Sequence, residues 1–134
     1  MDAAALQQFL TDSFPESPPS FVVEEAADWG VRVRLGKAAL RDRPGGTVSG
    51  PTVMALADSA AWMALCAEIG PVPLAVTTSL HIDFLRRPEM VDMVAEGRLL
   101  KLGRRLAVID VSLRSAGRDE LVAKAQVTYA LPPA

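Results

Sequence analysis

Residues 45–71, "GGTVSGPTVMALADSAAWMALCAEIGP", decide how this chain folds. Pro51 suits the first position of a helix, where a missing N–H costs nothing. Gly70 and Pro71 stop the helix in the usual C-terminal manner. The apolar run between them, Pro51 to Ile69, is 19 residues, about 28 Å at 1.5 Å per residue. It is rich in alanine and apolar on nearly every side, which predicts a helix wrapped by other structure. Asp58 is the one charged side chain between Pro51 and Ala67. A lone carboxylate in such surroundings is costly unless it is hydrogen-bonded or put to use.

Outside that helix the pattern changes to strand. "VRVRL" alternates Val31, Val33 and Leu35 with Arg32 and Arg34, the period of a half-buried strand. After the helix, "PLAVTTSLHIDFL", "MVDMVAEGRLLKLG", "RRLAVIDVSLRS" and "ELVAKAQVTYAL" read as four long strands. Ala107, Ile109, Val111 and Leu113 share one face of the third. Leu121, Ala123, Ala125, Val127, Tyr129 and Leu131 share one face of the fourth. Gly103 and "SAGRDE" supply hairpin connections, and no helix-length segment separates the strands, so they are antiparallel neighbours. Residues 3–13 predict a short amphipathic helix ended by the prolines of "PESPPS". The expected architecture is α+β, with one central helix inside a curled antiparallel sheet of five or six strands.

The 134 residues fit a single domain, and a net charge of -2 gives no general attraction to nucleic acid or an acidic membrane. No run of 18 uninterrupted apolar residues carries membrane flanks. The N-terminus lacks the basic residues of a signal peptide, so a cytoplasmic location is expected. Cys66 is the only cysteine and reads as a small buried hydrophobe. His81 is the only histidine, which excludes metal sites built on several histidines, and its pairing with Asp83 reads as surface or interface.

Together, "GGTVSGPTVMALADSAAW", "LHIDFLRRP", "LGRRLAVIDVSL" and "LVAKAQVTYALP" resemble the hotdog-fold acyl-CoA thioesterases of the phenylacetic-acid-pathway (PaaI-like) type, over residues 20–132. The resemblance implies three catalytic positions. Gly50 matches the glycine whose N–H polarises the thioester carbonyl, Asp58 the acid that acts as general base or nucleophile, and Thr77 the hydroxyl residue that positions water. Three positions depart from the family pattern. Ser49-Gly50-Pro51 stands where His-Gly-Gly is usual, and Arg43 stands where asparagine is frequent. The expected substrate is an acyl-CoA, with coenzyme A arriving as part of it and no separate cofactor. Candidate substrate-binding residues are Arg43, Ser49, Thr52, Thr78, Arg86, Arg104 and Arg105. The arginines are candidates because coenzyme A carries phosphates that guanidinium groups bind bidentately.

Strand parity favours Thr78 over Thr77 for the face carrying Leu80, Ile82 and Phe84; a β-bulge would restore Thr77. Pro51 has no N–H, so the oxyanion donor falls to Gly50, aided by Thr52. Gly50 and Asp58 lie eight residues apart, about 12 Å along a helix, too far to serve one carbonyl from one chain. A two-fold dimer resolves this by setting Gly50 of one copy beside Asp58 of the other. A homodimer is therefore expected, and the resemblance implies that two such dimers can associate into a tetramer. The alternatives are a non-catalytic acyl-CoA-binding dimer and a hotdog dehydratase, which would need a histidine that the helix lacks.

Overall fold

The computed structural model describes residues 1–14, 20–40, 42–43 and 45–133, and of Asp42 and Arg43 the backbone alone. The predicted break at Pro15, Pro18 and Pro19 lies outside the described residues. Helix α1, Ala3–Ser13, starts where Asp2 accepts the Ala5 N–H at 2.8 Å, and it buries Leu6 and Leu10. Strands β1 (Phe21–Ala27) and β2 (Gly30–Leu35) form a hairpin with Val31, Val33 and Leu35 buried, as the alternation predicts. A 3₁₀ turn at Lys37–Ala39 and the short paired strands β3 (Asp42–Arg43) and β4 (Thr47–Val48) lead into helix α2.

Helix α2 spans Gly50–Ile69, starting one residue before Pro51 with Ser49 as its N-cap. It ends at Gly70, whose φ of 90° is the region glycine tolerates best. Four strands follow: β5 (Val76–Phe84), β6 (Met93–Leu102), β7 (Leu106–Ser115) and β8 (Ala123–Ala130). The main sheet has six strands in the order β1-β2-β6-β7-β8-β5, all pairs antiparallel. Six strands laid flat would cover about 24 Å, whereas α2 with its side chains is about 10–12 Å wide. Because α2 touches all six, the sheet must curl around it. Leu56, Ala57, Ala60, Met63, Ala64 and Leu65 are sealed in that contact.

The sheet takes one side of α2 and α1 part of the other, where Phe9 meets the ring of Trp62 at 5.5 Å. Met54 and Ile69 each remain 40% exposed. Among the described residues α2 is the one helix long and apolar enough to cross a membrane; here it packs as the core helix of a sheet.

The two edges of the sheet differ. At β1 the side-chain amide of Gln7 donates to Phe21 O at 3.1 Å and accepts the Val23 N–H at 2.8 Å, so α1 covers that edge. At β5 the outer edge is bare of any described element, and Val76, Phe84 and Leu85 are more than half exposed. Phe84 therefore does not seal the core as its parity predicts; its ring lies over Gly50, close to where a β-carbon would be at 3.7 Å. Strand β5 also carries a register shift between Thr77 and Ser79. Thr78 is the extra residue, so Thr77 and Leu80, three apart, both face α2.

Candidate active site

The half-buried Asp58 sits midway along α2, and its carboxylate meets two hydroxyls from the sheet. Thr77 Oγ1 donates to Oδ1 at 2.7 Å, and the Tyr129 hydroxyl donates to the same Oδ1 at 2.8 Å. The Tyr129 hydroxyl also lies 3.1 Å from the Asp58 carbonyl oxygen. Thr77 and Tyr129 are cross-strand partners on β5 and β8, which is why both reach one atom. No partner of Oδ2 occurs among the described residues. The bulge thus decides between the two threonines: Thr77 bonds the carboxylate, and Thr78 Oγ1 donates to Thr128 O at 3.3 Å.

Gly50 lies at the other end of this arrangement, in the first turn of α2. Thr52 N–H is turned to Ser49 Oγ at 3.4 Å, and the Ser49 and Thr52 hydroxyls bond each other at 2.7 Å. Ser49 therefore caps the helix with Thr52 bonded to it, and the expected help from Thr52 N–H is already engaged. Pro51 has no N–H. The Gly50 N–H, at the positive end of the helix dipole, has no partner among the described residues. Gly50, Val53, Phe84, Arg86 and Arg87 line a cavity of about 510 Å³.

The candidate arginines fall into two groups. Arg86 is anchored at the Gly50 end, its N–H and Nε donating at 3.2 Å to Val122 O and Leu121 O. Arg104 and Arg105 sit in the turn before β7, where Arg105 O accepts the Leu131 N–H at 2.8 Å. The adjoining row Leu106–Ala130–Val76 is next to the row Ala107–Tyr129–Thr77 that holds Asp58. One chain thus carries a Gly50–Arg86 end and an Asp58–Arg104–Arg105 end. The side chain of Arg43 lies outside the described residues.

Tyr129 is the site residue that sequence reasoning missed. Its parity placed it with Ala123, Ala125 and Val127 on the inward face, and it reads there as core. The available signal was chemical: an inward tyrosine hydroxyl needs a partner, and so does an isolated aspartate. Cys66 is fully buried, and burial pushes its thiol above the ordinary range, so it takes no part in this chemistry. His81 and Asp83 pair at 3.2 Å on the exposed face of β5. Among the described residues no group of three or more His, Cys, Asp and Glu side chains could hold a metal.

The model of the Thioesterase superfamily matches residues 45–122, and the chain belongs to that family. Its six-stranded sheet around a long helix is the superfamily's hotdog fold. A protein from Silicibacter sp. assigned as a thioesterase is 41% identical, with 99% of this chain and 93% of that chain covered at a TM-score of 0.90. Zebra fish thioesterase superfamily member 2 shares the fold at 23% identity, covering 98% of this chain and 99% of that one, with a TM-score of 0.83. A thioesterase from Haemophilus influenzae does so at 15% identity, 99% and 92% coverage, and a TM-score of 0.82. No curated protein sequence matches the chain.

Proposed function

We propose that this protein hydrolyses acyl-CoA thioesters, as the PaaI-like resemblance implies, at two equivalent sites shared between two copies. The observation that carries the reading is the Asp58 carboxylate, fixed through Oδ1 with Oδ2 free of any described partner. Oδ2 removes a proton from water, and the water oxygen attacks the thioester carbonyl carbon. The C–S bond then breaks, and coenzyme A leaves as its thiol with that proton. A Gly50 N–H holds the carbonyl oxygen as it becomes negative; such a donor contributes roughly 2.7–4 kcal/mol of barrier lowering.

The bare β5 edge supports the sharing. An exposed apolar edge strand invites pairing, and the β1 edge is closed by Gln7. Antiparallel pairing of two β5 edges about a dyad near mid-strand brings the Thr77 end of one strand beside the Phe84 end of its partner. The partner's Gly50 then lies beside Asp58, at the short range that one chain's helix denies. Arg104 and Arg105 of one copy and Arg86 of the other come to flank the same cleft, suited to the phosphates of coenzyme A.

The test is release of coenzyme A from aromatic and aliphatic acyl-CoAs of graded length, with Asp58→Asn beside the wild type and sedimentation of both. Turnover in the wild-type dimer that falls by about two orders of magnitude or more in Asp58→Asn is expected. Binding of the esters without turnover would instead make the protein a carrier or sensor, and an active monomer would remove the shared site.

A further inference from the structure

We infer that Tyr129 is a positioning residue for the Asp58 base: with Thr77 it occupies Oδ1, so that Oδ2 alone accepts the proton from water. This inference rests on the hydrolase reading of Asp58. The phenol lies 4% exposed in a row otherwise built of Ala123, Ala125 and Val127. Its hydroxyl spans the Oδ1 and carbonyl O of one residue, at 2.8 and 3.1 Å. One proton shared between the main chain and side chain of Asp58 fixes the torsions that aim the carboxylate. Thr77 adds a second donor to Oδ1 at 2.7 Å from the next strand. Two donors match the two lone pairs of one carboxylate oxygen, which leaves the water only Oδ2.

The phenol is suited to hold that position at every working pH. Burial above all, with the Asp58 carboxylate adding to it and Thr77 opposing, pushes its ionisation well above the ordinary tyrosine value. Asp58 and Cys66, both on α2, are the titratable groups that act on it. It therefore donates and does not itself exchange protons with substrate.

Tyr129 is the only tyrosine in the chain, so feeding 3-fluorotyrosine labels this one site and makes its phenol a stronger donor. Tyr129→Phe is expected to lower kcat about tenfold with KM within about twofold, because a hydrogen bond to a charged group is lost. The acid limb of its pH–rate profile is expected to move up by about one pH unit, since donors to the charged form favour it. The fluorotyrosine protein is expected to move that limb the other way. Its fluorine NMR signal should titrate along the acid limb in the wild-type background and lose that titration in Asp58→Asn. If Tyr129→Phe does not fold, the fluorotyrosine protein, which retains ring and hydroxyl, decides the matter by both readouts. An inactive Asp58→Asn with an unmoved acid limb in the Tyr129 variants overturns the role of Tyr129 and leaves the hydrolase reading intact. An Asp58→Asn enzyme as active as wild type, or a wild type without turnover, overturns both.

Discussion

Gly97 of β6 lies directly beneath Ala60 of α2. A β-carbon on Gly97 would stand 3.0 Å from the Ala60 carbonyl oxygen and 3.3 Å from the Ala64 β-carbon. Helix and sheet approach this closely because both contribute only small residues at the crossing. A Gly97→Ala chain has to push α2 away from β6, against a backbone atom that cannot rotate aside. A loss of about 1–3 kcal/mol is expected, the usual cost of overpacking a core, read as a lower denaturant midpoint with unchanged slope.

Asp58→Asn separates aim from chemistry. The amide oxygen of asparagine still accepts from Thr77 and Tyr129, so the fold should stay within about 1 kcal/mol of wild type. The nitrogen that replaces Oδ2 cannot take a proton from water. Hydrolysis is expected to fall by about 10²–10⁴-fold, with thermal unfolding and oligomeric state scarcely changed. Circular dichroism melts beside the CoA-release assay check both halves.

Thr77→Val removes one donor to Oδ1 and keeps the side-chain shape. A drop of about tenfold in kcat/KM is expected, matching one hydrogen bond to a charged acceptor. Ser79→Ala, on the opposite face of the same strand, is expected to hydrolyse at the wild-type rate. Steady-state kinetics of the two variants side by side make the comparison.

Arg86→Ala and Arg104→Ala are expected to raise KM for acyl-CoA several-fold. They should leave a truncated thioester of the same acyl group, lacking the nucleotide phosphates, unaffected. The KM difference should also shrink as salt rises, since exposed charge pairs are screened. Equal losses on both substrates would instead place these arginines outside the phosphate contacts.

Asp92 ties two elements together, accepting the Lys37 N–H at 2.8 Å through Oδ1 and an Arg34 guanidinium N–H at 3.1 Å through Oδ2. The Lys37 N–H first, then Arg34, hold its carboxyl below the ordinary range. A carboxylate lowered in the folded state adds stability above its unfolded value, and that stability is lost as pH falls through the lower folded value. The Asp92→Asn protein is therefore expected to be less stable near neutrality and to lose less on acidification. Unfolding midpoints measured from neutral to strongly acid pH test the sign.

Much of this architecture is written in short-range pattern. The alternation of Val31, Val33 and Leu35, and of Ala107 through Leu113, fixes inward faces that the structure repeats. The alanine-rich run closed by Gly70 marks the central helix. Less legible are features that depend on what lies across the fold. Gln7 covering the β1 edge, and Phe84 lying over Gly50, join residues that no periodicity connects. Tyr129 was hidden because its parity gives it a sufficient role in the core. The bulge at Thr78 leaves composition untouched and alters only the counting.

That extra residue sits in a tandem, Thr77-Thr78, and the pairing has a consequence for error. If the bulge closed and β5 lay flat against β8, Thr78 would replace Thr77 opposite Tyr129 while Ser79 to Phe84 kept their partners. The atom presented to Asp58 would again be a threonine hydroxyl. The strand carries a spare, so losing the bulge is chemically silent at Asp58.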